Sequence, residues 1–153
     1  MKDLRIMIAG SRTYDNYIEL KNTVSGILSA LTIKNNTIYN PIIISGKAKG
    51  ADTLGEQYAN EYGYTVEEYP ADWNNLNATP CKIKYNKYGK PYNVLAGMNR
   101  NKDMVKVSDI IFMFHDGKSK GTADDLNLAK KYNKQYVYIN YNDYSKNETN
   151  LNF

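Results

Sequence analysis

The sequence holds a single cysteine, Cys81, so no disulfide can form within the chain, and no cysteine–histidine spacing of a zinc site surrounds it. A reducing, cytoplasmic setting follows as the expectation. Histidine is equally scarce: His115 stands alone, with no partner near it in sequence, and reads as a bystander rather than a base. Long apolar runs are missing too. The opening MKDLRIMIAG offers six residues before Gly10, far short of a signal peptide or a bilayer span, so a soluble, unexported protein with no membrane partner is expected. Neither a P-loop nor a GxGxxG fingerprint occurs, and nothing points to a metal or a resident cofactor.

No charge block stands out at first reading. The net charge is +4, from 20 basic and 16 acidic residues, and the lysines read as spread among acids, which argues against a nucleic-acid partner. Heavy use of Tyr, Asn, Lys and Ile is read as the trace of an AT-rich genome, bacterial or phage.

What is present is a series of short apolar runs at 4–9, 42–44, 110–114 and 136–139, with a weaker one at 65–69. Runs this short, β-branched and unalternating suit strands buried on both faces of a parallel sheet. Between them, Leu20, Val24, Ile27, Leu28 and Leu31 make one stripe of a 3.6-period helix, and 51–62, 98–107 and 121–132 read as further helices. Strand alternating with helix predicts a single Rossmann-like α/β domain over 1–140, with helices on both faces of a mainly parallel sheet. Residues 74–95 form a long loop insertion with a hairpin expected at 86–90, and 141–153 read as a polar tail.

In such a sheet, ligands bind beyond the carboxyl ends of the strands, where a loop enters a helix N-terminus. Four segments put suitable residues there. Gly10-Ser11-Arg12 offers close backbone approach, a hydroxyl and a guanidinium fork, or else a tight turn with a surface arginine. Ser45-Gly46-Lys47 with Lys49, Gly50 and Asp52 resembles a phosphate cradle, although Asp52 serves equally well as a helix cap and the lysines as solvated charges. Asp116-Gly117-Lys118-Ser119 with Gly121 and Thr122 makes a hydrogen-bonding loop at a helix start, the arrangement that favours phosphate. Arg100 and Asn101 open a polar helix after the long loop; singly they are surface residues, and their interest lies in convergence with the other three.

These segments, with Asp72-Trp73 in YPADW at 69–73, AGMNRNKDM at 96–104 and DGKSKGT at 116–122, resemble in order the YspA-related branch of the SLOG superfamily. That superfamily has a Rossmann-like fold shared with DNA-processing protein A and the LOG cytokinin-activating hydrolases. The resemblance implies a nucleotide-derived small molecule, ADP-ribose, cyclic ADP-ribose or NAD-related, held by a sensor or a sequestering sponge, and by analogy with the SLOG domain of the Thoeris defence effector, a phage counter-defence role. It also implies a homo-oligomer. An alternative is N-glycoside hydrolysis of nucleoside monophosphates, with Arg100 holding phosphate and Asp125 stabilising the oxocarbenium-like state. Against it, Asp124 and Asp125 are expected in a first helical turn, where acids simply favour the dipole. A third reading is single-stranded DNA binding. Two departures from the family stand out: Lys47 replaces a glycine, and the insertion carries Tyr85, Tyr88 and Tyr92, which suit a lid over a base, a cover for the core or a dimer contact.

Overall fold

The computed structural model describes residues 1–152. Strand β1 (Lys2–Gly10) leads through α1 (Tyr17–Asn35) to β2 (Tyr39–Ser45), and α2 (Ala51–Tyr62) leads to β3 (Thr65–Glu68). The insertion contributes β4 (Ile83–Tyr85) and β5 (Pro91–Asn93), after which α3 (Ala96–Val107), β6 (Ile110–His115), α4 (Lys120–Lys131) and β7 (Gln135–Asn140) resume the alternation. A 3-10 turn at Tyr144–Lys146 precedes a last strand, β8 (Glu148–Asn150).

Six strands form the main sheet in the order β3-β2-β1-β6-β7-β8, all parallel except the antiparallel pair β7–β8. Burial of both sheet faces explains why the strands read as continuous apolar runs. Ile6, Ile8, Phe112 and Phe114 pack on one side with Leu20 and Val24 of α1 and Tyr58 of α2. Met7, Ala9, Ile111 and Met113 pack on the other with Met104 and Val105 of α3 and Ala129 of α4. The result is the expected α/β three-layer arrangement. Among the described residues no helix is long and apolar enough to cross a membrane.

Two segments differ from the sequence expectation. The hairpin falls where it was placed, with a turn at 86–90, but it stands as a separate two-stranded sheet. The polar stretch expected over 141–153, of which Phe153 lies outside the described residues, does more than trail: β8 pairs Glu148 with Tyr138 and Asn150 with Tyr136, covering the edge of β7. Glu148 accepts a hydrogen bond from the Tyr136 hydroxyl at 2.7 Å and meets Lys130 at 3.0 Å, so polar side chains rather than an apolar period hold it there.

The chain runs β1, β2, β3 toward one edge and then returns to place β6 on the other side of β1. A topological switch point therefore lies between β1 and β6, the place where open α/β sheets leave a crevice at the strands' carboxyl ends. Glycine is required at its lip. A Cβ on Gly10 would lie 2.2 Å from the Phe114 carbonyl oxygen, and Gly50, at φ +76°, would place one 2.2 Å from the Ser11 carbonyl oxygen. Gly50→Ala is expected to cost at least about 2 kcal/mol, from the positive φ and the overlap together. Urea unfolding measures this, and an unchanged midpoint would contradict the close approach.

Candidate functional site

Ser11 gathers the crevice. Its backbone N–H donates to Phe114 O at 2.9 Å, and its carbonyl accepts from Tyr14 N at 3.1 Å and Ala51 N at 3.4 Å. Its hydroxyl accepts from Asp116 N at 2.9 Å and lies 3.1 Å from the Ser119 hydroxyl. One buried residue thus joins the loop after β1, the start of α2 through its carbonyl, and the loop after β6 through its hydroxyl. Asp116 stiffens the last of these by accepting from Lys118 N at 2.8 Å and Ser119 N at 2.9 Å, and those N–H groups hold its carboxyl below the usual range.

The cleft so formed has a volume of about 400 Å³, within the range of small-molecule sites. Of the residues singled out from the sequence, it brings together Gly10, Ser11, Arg12, Asp52, Arg100, Asn101, Asp116, Ser119, Gly121, Thr122 and Asp125. The helix α4 enters it by its N-terminus, with no side-chain cap and no acid in its first turn. Its leading N–H groups and the positive end of its dipole are therefore left to whatever occupies the cleft. Arg12 is exposed at the rim, and Lys120, not singled out from the sequence, adds a third cation. Thr13 and Ala48 were missed as well; each follows or interrupts a segment already chosen, which was the only signal for them.

The other candidates lie elsewhere. Lys47 pairs with Glu56 at 2.8 Å and Glu68 at 3.4 Å, and the Ser45 hydroxyl donates to Glu56 at 2.8 Å, so both face away from the cleft. Lys47 has φ +61°, a left-handed backbone conformation that favours glycine. Lys49, Gly117 and Lys118 do not line the cleft, and Gly50 shapes it by backbone contact alone. Asp72 lines a neighbouring cleft of about 260 Å³ that shares Arg100, and Trp73 stands outside both, edge-on to Tyr92 at 6.4 Å. His115 is buried rather than peripheral, held between the Tyr138 hydroxyl at 2.7 Å and the Ser119 carbonyl at 2.9 Å.

Arg100 is held by carbonyls. Its Nη1 donates to Gly46 O and, at 3.4 Å, to Tyr69 O, while Nε donates to Asn101 Oδ1 at 2.9 Å. Beside it lie two buried carboxyls, Asp52 at 6% exposure and Asp125 at 4%. Burial pushes Asp52 up to about 6, against hydrogen bonds from Ala48 and Gly46 and the charge of Arg100. Burial also raises Asp125 well above the carboxylate range, and the neighbouring Asp52 and Asp124 charges add to this. One carboxyl oxygen of Asp125, Oδ1, is buried without a hydrogen-bond partner. Because α4 begins at Lys120, Asp125 lies beyond the first turn, and the expected dipole explanation for it does not hold. Asp52 does lie in the first turn of α2, where its carboxylate accepts from Ala48 N at 3.3 Å.

Residues 4–75, just under half of the chain, match the family described as the YspA, cpYpsA-related SLOG family. Among curated proteins none matches the sequence. Among solved structures, the chain is similar to DNA processing protein A from Helicobacter pylori, described for its single-stranded DNA binding mode, with 20% identity, TM-score 0.51, and coverage of 89% of this chain and 65% of that one. A structural genomics target solved by X-ray crystallography follows, with 18% identity, TM-score 0.49 and coverage of 89% and 72%. A predicted tRNA methyltransferase subunit from Methanocaldococcus jannaschii has 14% identity, TM-score 0.37 and coverage of 90% and 67%. At such identities the likeness is one of fold. The chain spans about two thirds of the length of the Helicobacter protein, 65%.

The buried carboxyls set a pH dependence. Folded Asp52 keeps its proton up to about pH 6, whereas the unfolded chain releases it near 3.8. Between those values the folded state binds more protons, so this group makes stability fall as pH rises. Asp52→Asn is expected to be near neutral at pH 4 and stabilising at pH 7 by on the order of 1–3 kcal/mol. Denaturant unfolding of both proteins at the two pH values measures it; a variant destabilised more at pH 7 than at pH 4 would contradict the sign.

Proposed function

We propose that this chain, which over residues 4–75 belongs to the YspA, cpYpsA-related SLOG family, binds the phosphate-bearing part of a nucleotide-derived small molecule in the cleft between β1 and β6. The observation that carries the reading is the uncapped, acid-free N-terminus of α4, which opens at the switch point beside Arg12, Arg100 and Lys120. Oriented N–H groups and a helix dipole favour an anion there, and a guanidinium adds a bidentate fork. Beyond the phosphate, Asp52 and Asp125 present acceptors and a proton to hydroxyl groups, which suits ribose. ADP-ribose, cyclic ADP-ribose and NAD-related molecules have this composition, and a domain that holds one without changing it acts as a sensor or a sponge. Three cations face only two carboxylates, Asp52 and Asp116, because burial keeps Asp125 protonated, and a small cleft of net positive charge suits a phosphate-bearing ligand.

A second reading, hydrolysis of an N-glycosidic bond, is favoured by the state of Asp125. A carboxyl kept neutral by burial at the cleft wall would give its proton to a departing base while water adds to the anomeric carbon. This differs from the role the resemblance implies, a charged carboxylate that stabilises the oxocarbenium-like state; Asp52, the less strongly raised of the two, fits that role better.

Mass spectrometry of the protein after incubation with ADP-ribose, cyclic ADP-ribose, NAD and nucleoside monophosphates separates the two. Intact ligand retained by the wild type, weakened about tenfold to a hundredfold in Arg12→Ala and unchanged in Lys47→Gly, is the expected result. Free base plus ribose phosphate, abolished by Asp125→Asn, would replace binding by hydrolysis. Retention of none of these molecules would overturn the cleft reading.

A further inference from the structure

The positive charge of this protein is local, contrary to the first reading of its lysines. Residues 73–102 contain six of the 20 basic residues and none of the 16 acidic ones, so the rest of the chain carries 14 basic against 16 acidic residues. Four of the six, Lys82, Lys84, Lys87 and Lys90, belong to the β4–β5 hairpin, and all four are exposed. Interleaved with them are Tyr85 at 68% exposure and Tyr88 at 81%, and Trp73 at the hairpin's base is 43% exposed. The tyrosines at the tip therefore do not cover the protein's own core, one of the roles expected for them.

The hairpin is held firmly although it packs little. Asn86 Oδ1 accepts from Tyr88 N at 2.8 Å and Lys90 N at 3.0 Å, closing the turn. Asn93, fully buried, accepts from Lys82 N at 3.1 Å and Leu95 N at 3.0 Å, and its own N–H donates to Trp73 O at 2.7 Å. The register sets Lys84 opposite Tyr92, so these two share one face of the ribbon. Tyr92 meets Trp73 edge-on, and an open groove of about 410 Å³ runs between Trp73, Asn86, Lys90 and Tyr92. At the tip, Lys87 Nζ lies 5.1 Å from the Tyr88 ring centre.

We infer that this hairpin is a binding arm for single-stranded nucleic acid, separate from the cleft. Lysines unopposed by any acid match a phosphate backbone, and exposed rings between them match unstacked bases, which every sequence offers and a duplex hides. A membrane surface would use the lysines, but the face that carries Ile83, Tyr85 and Pro91 exposes a single aliphatic side chain, far less apolar area than an interfacial anchor buries.

Fluorescence anisotropy of a labelled oligothymidylate with the intact protein tests it. Binding that weakens with salt is expected. Tyr85→Ala with Tyr88→Ala keeps the net charge and should weaken binding about tenfold or more, while Lys84, Lys87 and Lys90 all changed to Gln should lower the salt slope by about 2. Both variants should keep the wild-type thermal midpoint, since the altered side chains are exposed. Arg12→Ala should bind the oligonucleotide normally, so the arm and the cleft stand or fall separately. No binding at low salt would overturn the inference. So would equal capture of phosphatidylserine vesicles or heparin with the tyrosine variant unimpaired, or loss of oligonucleotide binding in Arg12→Ala.

Discussion

The arrangement at the switch point depends on Ser11. Its backbone and hydroxyl bind three chain segments that are more than a hundred residues apart at the extremes, Phe114 and Asp116 on one side and Ala51 on the other. Removing the hydroxyl would leave the part-buried Asp116 N–H without its acceptor, at a cost of about 1 kcal/mol. The more important consequence is positional. With Ser11 holding Ser119 at 3.1 Å, the start of α4 is fixed relative to β1, and the N–H groups that would meet an anion are set in place before any ligand arrives.

Against this well-satisfied frame, the floor of the cleft is poorly satisfied. Asp52 and Asp125 are buried beside each other's charge, Asp125 has an oxygen with no partner, and Arg100 is held by carbonyls rather than by a carboxylate within ion-pair distance among the described residues. An apolar set of side chains would fold more stably. The sheet core on either side, with Ile43, Ile44, Met7 and Phe114 fully buried, supports the strain, and polar groups left wanting partners in a cleft are what a polar ligand would supply.

Much of the fold was legible because both periodicities were strong. The stripe Leu20, Val24, Leu31 marked α1, and the unbroken run Ile110–Phe114 marked a strand covered on both faces. Strand β8 was not legible: Glu-Thr-Asn has no strand signal, and it pairs only because β7 presents an edge and Tyr136 a hydroxyl. In the site, loops at strand ends were visible as glycine with small polar residues. Which side chains turn inward was not. Lys47 looked like a phosphate ligand although Glu56 and Glu68 stand beside it, and Asp125 looked like a dipole-serving acid although Asp52 and Arg100 lie close to its buried carboxyl. Both depend on neighbours distant in sequence. The basic hairpin was open to plain counting, but an average over the whole chain concealed it.

The central claim is that the start of α4 receives the anion. A two-dimensional amide NMR titration of the protein with ADP-ribose tests it most directly. The account predicts large downfield shifts for the N–H groups of Gly121 and Thr122, with Ser11 and Arg12 following at the same ligand concentrations and the hairpin at 82–92 unmoved. Shifts confined to other loops, or a titration in which Gly121 and Thr122 stay fixed while ligand binds, would contradict it.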